Sequence, residues 1–348
     1  MKTKLSSLDT VRALACIGIF TFHTYISMLG CWAVSAFIML SGFVLSYNAA
    51  GKTNRPPLGL KDSLKYALKK IRKLYPLYFL TLLALALRLI ILGRGSISLP
   101  QLTDLAGKFI ACALLLQSWI SLPGWSFALN GVGWYLSTIL LLYFFFPSIM
   151  RGIVKLKTAK ATLFAAAAVY VLMLVIAGTL KLDSWHVYIF PPYRLLDFSI
   201  GCLLGYLFTL DTAKNIRTPA ATVLELTGLA LAYISSYLFN RGSIPGGFAS
   251  NALFVIPNAL LIYSFALNKG VISKVLDCGI MRFISDHSGE IFLIHPVIIA
   301  YLTPVLAFLP LKGFVSEAVF VVLAIAGTLA ATLLYRRFSR RFPFFAVR

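Results

Sequence analysis

Residues 8–27 read LDTVRALACIGIFTFHTYIS. The stretch is apolar enough to cross a membrane, yet it carries Asp9, Arg12 and His23. An ionisable side chain within a membrane helix is expensive and marks a functional site by default. Arg12 and His23 lie on one helix face, about three turns plus ~20° apart and separated by about 16 Å along the axis. Asp9 falls ~40° from His23 on that face, about 21 Å from it. It can therefore pair with Arg12 at i, i+3 but cannot orient the imidazole. The competing reading is a capping Asp, a snorkelling Arg and a histidine satisfied within the core.

The rest of the chain fits a membrane setting. Its 348 residues are 59% hydrophobic and 12% charged, with a mean hydropathy of +0.87, whereas a soluble domain is about a quarter charged. The fold class expected is an all-α integral membrane protein. The net charge of +21 does not point to nucleic acid, because the basic residues cluster in short loops between apolar runs, a topological pattern. Five scattered cysteines without CxxC, and four histidines without HExxH spacing, predict neither a disulfide framework nor a metal site. Lys2 and Lys4 precede the first run with no small-residue cleavage site, so that run reads as a retained span.

Apolar runs place spans at 8–28, 31–49, 74–93, 130–150, 160–180, 191–209, 220–240, 249–268, 290–309 and 314–335. Lys52, Arg55, Lys61, Lys65, Lys69, Lys70, Arg72 and Lys73 mark one cytoplasmic loop, and Arg151, Lys155, Lys157 and Lys160 another. An even number of crossings must separate them, so the run 105–121 is expected to be re-entrant or interfacial rather than an eleventh span. Lys214/Arg217, Lys269/Lys274/Arg282 and the tail Arg336, Arg337, Arg340 and Arg341 also fall inside. The expectation is about ten spans with both termini cytoplasmic. The longest piece between spans is about 36 residues, too short for its own core, so 1–348 reads as one membrane domain.

Several motifs could carry chemistry. AFIMLSGFVLSYN at 36–48 places Ser41-Gly42 in the second span, either for close helix packing or as a hydroxyl contact. KKIRKLYPLYFL at 69–80 places Lys69, Lys70, Arg72 and Lys73 at the mouth of the third, either as a lipid-facing anchor or as a site for a phosphate-rich ligand. Trp134 and Tyr135 could join an interfacial aromatic belt or stack on a sugar ring. Arg194 and Asp197, at i, i+3, could be an ion pair or a substrate clamp. Glu290 and His295 open the ninth span without sharing a face, and His287 reads as a solvated loop residue.

Taken in order, LDTVRAxACIGIFTFH, FIMLSGFVLS, RKLYPLY, WYLSxxxxxYxxFP, YRLLDFxxGxLLG and SxEIFLIHP resemble the acyltransferase-3 family. The resemblance implies a multi-pass bacterial cell-membrane enzyme that moves acetyl or other acyl groups from coenzyme A thioesters to cell-surface carbohydrates or related acceptors. It implies no tightly bound cofactor, with acetyl-CoA as donor substrate, and membrane lipid and a carbohydrate or lipid-linked glycan as partners. It also implies catalytic roles for His23 and Arg12. Lys69 stands where the family often has the first Arg of an Arg-x-x-Arg pair, with Arg72 as the second. Ile139 and Leu140 replace acidic residues common after the WxLS motif, and Asp197 stands where Glu is more usual. The extracytoplasmic hydrolase-like domain that some members append has no counterpart in this sequence.

These readings combine into an expected mechanism. Arg12, Lys69, Arg72 and Lys73 hold the donor's phosphates. His23 acts as general base, with a covalent acyl-histidine as the alternative chemistry. Ser41, Trp134, Tyr135, Arg194, Asp197, Glu290 and His295 are the candidate substrate contacts. A secondary transporter or polysaccharide flippase, and a sensor domain, are the competing classes.

Overall fold

A computed structural model describes residues 5–50, 59–93, 98–210, 215–244, 251–307 and 313–341. They form fourteen α-helices and, among the described residues, no strand. These are α1 Ser7–His23, α2 Gly30–Ala49, α3 Leu60–Ile71, α4 Tyr75–Gly93, α5 Leu99–Ala113, α6 Trp134–Ile153, α7 Ala159–Thr179, α8 Ser184–Tyr188, α9 Pro191–Thr209, α10 Thr218–Asn240, α11 Ala252–Leu267, α12 Val271–Leu276, α13 Gly279–Ala307 and α14 Gly313–Arg341. Lys2, Lys4, Lys52, Arg55 and Lys214 lie outside the described residues.

Each of the ten apolar runs carries a helix. Seven of these, α2, α4, α6, α7, α10, α13 and α14, are long and apolar enough to cross a membrane. α11 is apolar but has 16 residues, and α1 has 17. Such lengths extend about 25 Å, against a hydrocarbon core of about 30 Å. α9 carries the charged pair Arg194 and Asp197.

Three segments differ from the sequence expectation. Residues 60–71, read as loop, form an amphipathic helix with Lys61, Lys65, Lys69 and Lys70 exposed, a pattern suited to lying along a membrane interface. The run 105–121 is not one helix. α5 starts at a Ser98–Gln101 capping box and ends at Ala113. Leu115 then takes a left-handed φ of 56° before a short 3-10 turn at Gln117–Trp119. Finally, α13 begins at Gly279 rather than near 290. His287 is therefore a helical residue, only 9% exposed, and not a solvated loop residue. The polar run around it is absorbed by tertiary partners: the Ser285 hydroxyl donates to Asp9 Oδ1 at 3.1 Å.

The chain divides into two compact units, Met1–Ala67 with Leu141–Asp286, and Leu68–Leu140 with His287–Arg348. At the core of the first, α2 and α9 meet backbone to backbone. A Cβ on Gly201 would lie 2.2 Å from Met39 O, one on Gly205 2.2 Å from Phe43 O, and one on Gly42 2.4 Å from Phe198 O. The start of α1 is tied to the end of the same unit, with Ser6 donating to Asp277 at 2.7 Å and Thr10 to Leu276 O at 3.1 Å.

In the second unit, α4 is fixed to α5 by its tyrosines. Tyr75 donates to Ala113 O at 2.7 Å, and Tyr78 to Cys112 O at 2.9 Å. The Asn130 amide bridges Thr81 and Leu293 O, at 2.8 and 3.0 Å. α13 and α14 run antiparallel: Arg336 pairs with Glu290 at 2.8 Å, and a Cβ on Gly327 would sit 3.0 Å from Ile298.

The α2–α9 contact leaves no room for a methyl group. Gly201→Ala is expected to destabilise the protein by about 2 kcal/mol or more through overpacking. Gly152→Ala, where nothing lies within 4 Å, is expected to be neutral. Thermal unfolding in detergent compares the two. Equal melting temperatures would show that the helices separate freely.

Candidate active site

His23 closes α1 and is half-buried. Its Nδ1 lies 3.0 Å from Ile19 O, one turn back. A carbonyl only accepts, so Nδ1 carries the proton and, in the neutral ring, Nε2 carries the lone pair. The ring edge packs on Phe22, with centroids 5.4 Å apart. The helix thus fixes the tautomer that takes up a proton at Nε2.

Arg12 sits three turns earlier on the same helix. It forms an ion pair with Asp9 at 3.9 Å, and its side chain is 35% exposed. That distance is long for a charge-assisted hydrogen bond, so Asp9 orients the guanidinium without closing it off. Asp9 is in turn held by Ser285. The hydroxyl of Tyr143 is hydrogen-bonded to Ser41 and lies within the field of Arg12. Arg12, Ser41 and Tyr143 therefore come together in the first unit. Sequence reasoning quoted Tyr143 within the WYLSxxxxxYxxFP motif but gave it no role, because its contact depends on α6 meeting α2. Gly42 serves close packing, while Ser41 makes the hydroxyl contact, so the two readings of that dipeptide divide between its residues.

Arg194 and Asp197 are both 0% exposed. Arg194 donates to Asp197 at 2.8 Å, to Ser35 at 3.1 Å and to Tyr188 O at 3.0 Å, and its guanidinium lies over the Tyr188 ring at 5.8 Å. Ser35 passes the bond on to Asn251 Oδ1 at 3.0 Å. The pair is a closed internal network rather than an open clamp. Arg194 Nε, Asp197 Oδ1 and Asn251 Nδ2 are buried without a hydrogen-bond partner among the described residues.

Of the candidates in the second unit, Trp134 is 3% exposed, and its carbonyl accepts from Ser118 at 2.7 Å. It is neither a belt residue nor an open stacking platform. Tyr135 is half-buried, with its ring edge-on to Phe292 at 5.3 Å. Glu290 is buried against Arg336. His295, 1% exposed, has its Nδ1 3.0 Å from Ile291 O, the same arrangement as His23.

Lys69, Lys70, Arg72 and Lys73 are exposed at the end of α3 and in the turn after it, where the negative end of the helix dipole favours cations. Partial burial of its ammonium, then the like charges of Lys73 and Lys69, hold Lys70 below the usual lysine range. Crowded like charges of this kind gain from a multivalent anion.

The family model described as an acyltransferase domain matches residues 5–337. The chain is 27% identical over 334 residues to the acyltransferase MdmB of Streptomyces mycarofaciens, covering 86% of this chain and 80% of that one. It is 24% identical over 325 residues to the peptidoglycan O-acetyltransferase OatA of Listeria monocytogenes, covering 86% of this chain and half the length of that relative. No solved structure matches.

Removing one member of the buried pair leaves the other without a counter-charge. Asp197→Leu is expected to cost about 3–5 kcal/mol, with much of the loss recovered in the double variant Asp197→Leu/Arg194→Met. Melting curves of both proteins in detergent test this. A double variant no more stable than the single one would break the argument.

Proposed function

The chain belongs to the acyltransferase-3 family and is an acyltransferase, and on that premise we propose that it moves an acyl group, acetyl in the simplest case, from a cytoplasmic acyl-CoA to a hydroxyl of a cell-surface carbohydrate or related acceptor. The observation that carries the reading is His23 at the end of α1, half-buried rather than enclosed, with its Nδ1 held 3.0 Å from Ile19 O. Nε2 takes the proton of the acceptor hydroxyl as its oxygen attacks the thioester carbonyl. The carbon–sulfur bond then breaks, and the departing thiolate recovers the proton from His23. Every proton is returned, and no resident cofactor is required.

Arg12, Lys69, Arg72 and Lys73 are assigned to the donor's phosphates, where exposed guanidinium and ammonium groups suit clustered negative charge. Ser41 and Tyr135 are half-buried and so accessible enough to meet an acceptor. Arg194 and Asp197 in the first unit, and Trp134, Glu290 and His295 in the second, are all nearly or fully buried and position the helices of their own units. In this reading ten helices cross a bacterial cell membrane with both termini in the cytoplasm, and the positive-inside loops support that orientation.

His23→Ala is expected to lower coenzyme A release from acetyl-CoA by about 10²- to 10⁴-fold, the range for a general base, in purified protein supplied with membrane acceptor. Equal release by both proteins removes His23 from the mechanism. Arg12→Lys, and separately Lys69→Gln/Arg72→Gln, are expected to raise the donor KM and weaken its dependence on salt. A loss of kcat at unchanged donor KM would count against the phosphate-holding role.

A further inference from the structure

α1 does not fray after His23; it stops at a built turn. Ile26 N donates back to Thr21 O at 2.8 Å, and Tyr25 N to Phe22 O at 3.1 Å, the paired bonds of a Schellman motif. Tyr25 therefore occupies the position just past the helix, with a left-handed φ of 61°. Glycine is the usual residue there, because a Cβ is strained in that conformation. The turn is braced from several sides. The Thr21 and Ser27 hydroxyls meet at 2.7 Å, and Asn240 donates to Met28 O at 3.2 Å. The Phe22 ring lies on Gly30 at the start of α2, where a Cβ would come within 2.5 Å of it.

Leu115 has a similar φ of 56° but is 5% exposed, so burial of its side chain offsets the strain. Tyr25 has no such compensation. It is 92% exposed, and its ring stands nearly clear of the protein. Strain kept where packing gains nothing points to function. What the turn does gain is a large flat ring held two residues from His23, within ~7 Å of it along the chain.

The surroundings narrow what that ring meets. Between Arg12 and Lys52 the sequence has no acidic or basic side chain other than His23, so the turn itself is neutral. An anchor in lipid needs no ring at a strained position, because Phe22, Ile26 and Met28 are already exposed beside it. A rigid amphipathic ring with a hydroxyl at its edge fits the face of a sugar, which is apolar across its C–H bonds and polar at its rim. In the orientation proposed above, this end of α1 lies on the outer side, where a cell-surface carbohydrate arrives.

We propose that Tyr25 is the acceptor-recognition residue beside His23, stacking on one ring of a neutral saccharide so that a sugar hydroxyl is presented to Nε2. The assignment rests on the acyl-CoA reading above and names its acceptor class. Purified protein in detergent receives labelled acetyl-CoA with chitotetraose, cellotetraose or maltotetraose as the sugar probe. Wild type is expected to acetylate at least one of them, and Tyr25→Phe, which keeps the ring, to match it. Tyr25→Leu and Tyr25→Gly remove the ring. Each is expected to lower kcat/KM for the sugar about tenfold, the scale of one aromatic contact, at unchanged donor KM. Tyr25→Gly also relieves the backbone and is expected to melt at or above the wild-type temperature, which separates its loss of transfer from misfolding.

A Tyr25→Leu protein that acetylates the sugar as well as Tyr25→Phe overturns the assignment and makes the ring an apolar anchor. A Tyr25→Gly protein that melts well below wild type overturns it too, by giving the ring a structural role. Wild type that releases coenzyme A but acetylates none of the three sugars overturns the saccharide class and leaves the acyl-CoA reading standing. Wild type that neither binds nor turns over acetyl-CoA overturns both.

Discussion

Gly42, Gly201 and Gly205 let α2 and α9 touch along their backbones, and that contact sets the register of the first unit. Gly201 faces Met39 and Gly205 faces Phe43, so the two helices run parallel at a fixed offset. One turn earlier at the same offset, Asp197 faces Ser35, where the bond from Arg194 to Ser35 is found. A slip of one residue would rotate Ser35 away and leave a buried guanidinium short of an acceptor. Small residues permit the approach by van der Waals packing, and the buried network penalises every other register. The two devices depend on each other, because the polar network can form only where the backbones are this close.

The same economy of partners governs the histidines. Inside a membrane, water is not available to satisfy a ring nitrogen. Both His23 and His295 use the carbonyl one turn back, which fixes the proton on Nδ1 whatever lies beyond the ring. The difference between them is access: His23 is half-buried and His295 almost completely enclosed. Access, rather than tautomer, distinguishes a candidate base from a positioning residue.

Much of the helical layout was legible because lipid imposes length and composition on any helix that crosses it. The ten apolar runs needed no tertiary information. α3 and the first turns of α13 were not legible from hydropathy, since their polar residues resemble loop, and only partners such as Asp9 beyond Ser285 show otherwise. In the site, the Asp9–Arg12 pair was readable from i, i+3 spacing on one helix. Tyr143 beside Ser41 was not, because it depends on which helices meet. Nor could the sequence separate a clamp from a closed ion pair at Arg194 and Asp197, a distinction that burial alone settles.

Polarity is also graded by kind along these helices. Exposed or partly exposed charge sits toward helix ends, at Arg12 in the second turn of α1, in the cluster after α3, and from Arg336 onward in α14. Among the charges buried within helices, Asp9, Arg194, Asp197 and Glu290 have an ionic partner, and Glu225 accepts from the backbone N–H groups of Ile272 and Ser273. The hydroxyls of Thr328, Thr332 and Tyr335, which have no hydrogen-bond partner among the described residues, are neutral. An unpaired hydroxyl costs roughly 1–3 kcal/mol, but an unpaired buried charge costs several times more. An unsatisfied buried group is therefore more easily tolerated where it is uncharged. α14 meets that condition with hydroxyls on its buried face, while Val322, Leu323, Ile325, Leu333 and Leu334 make its outward face apolar.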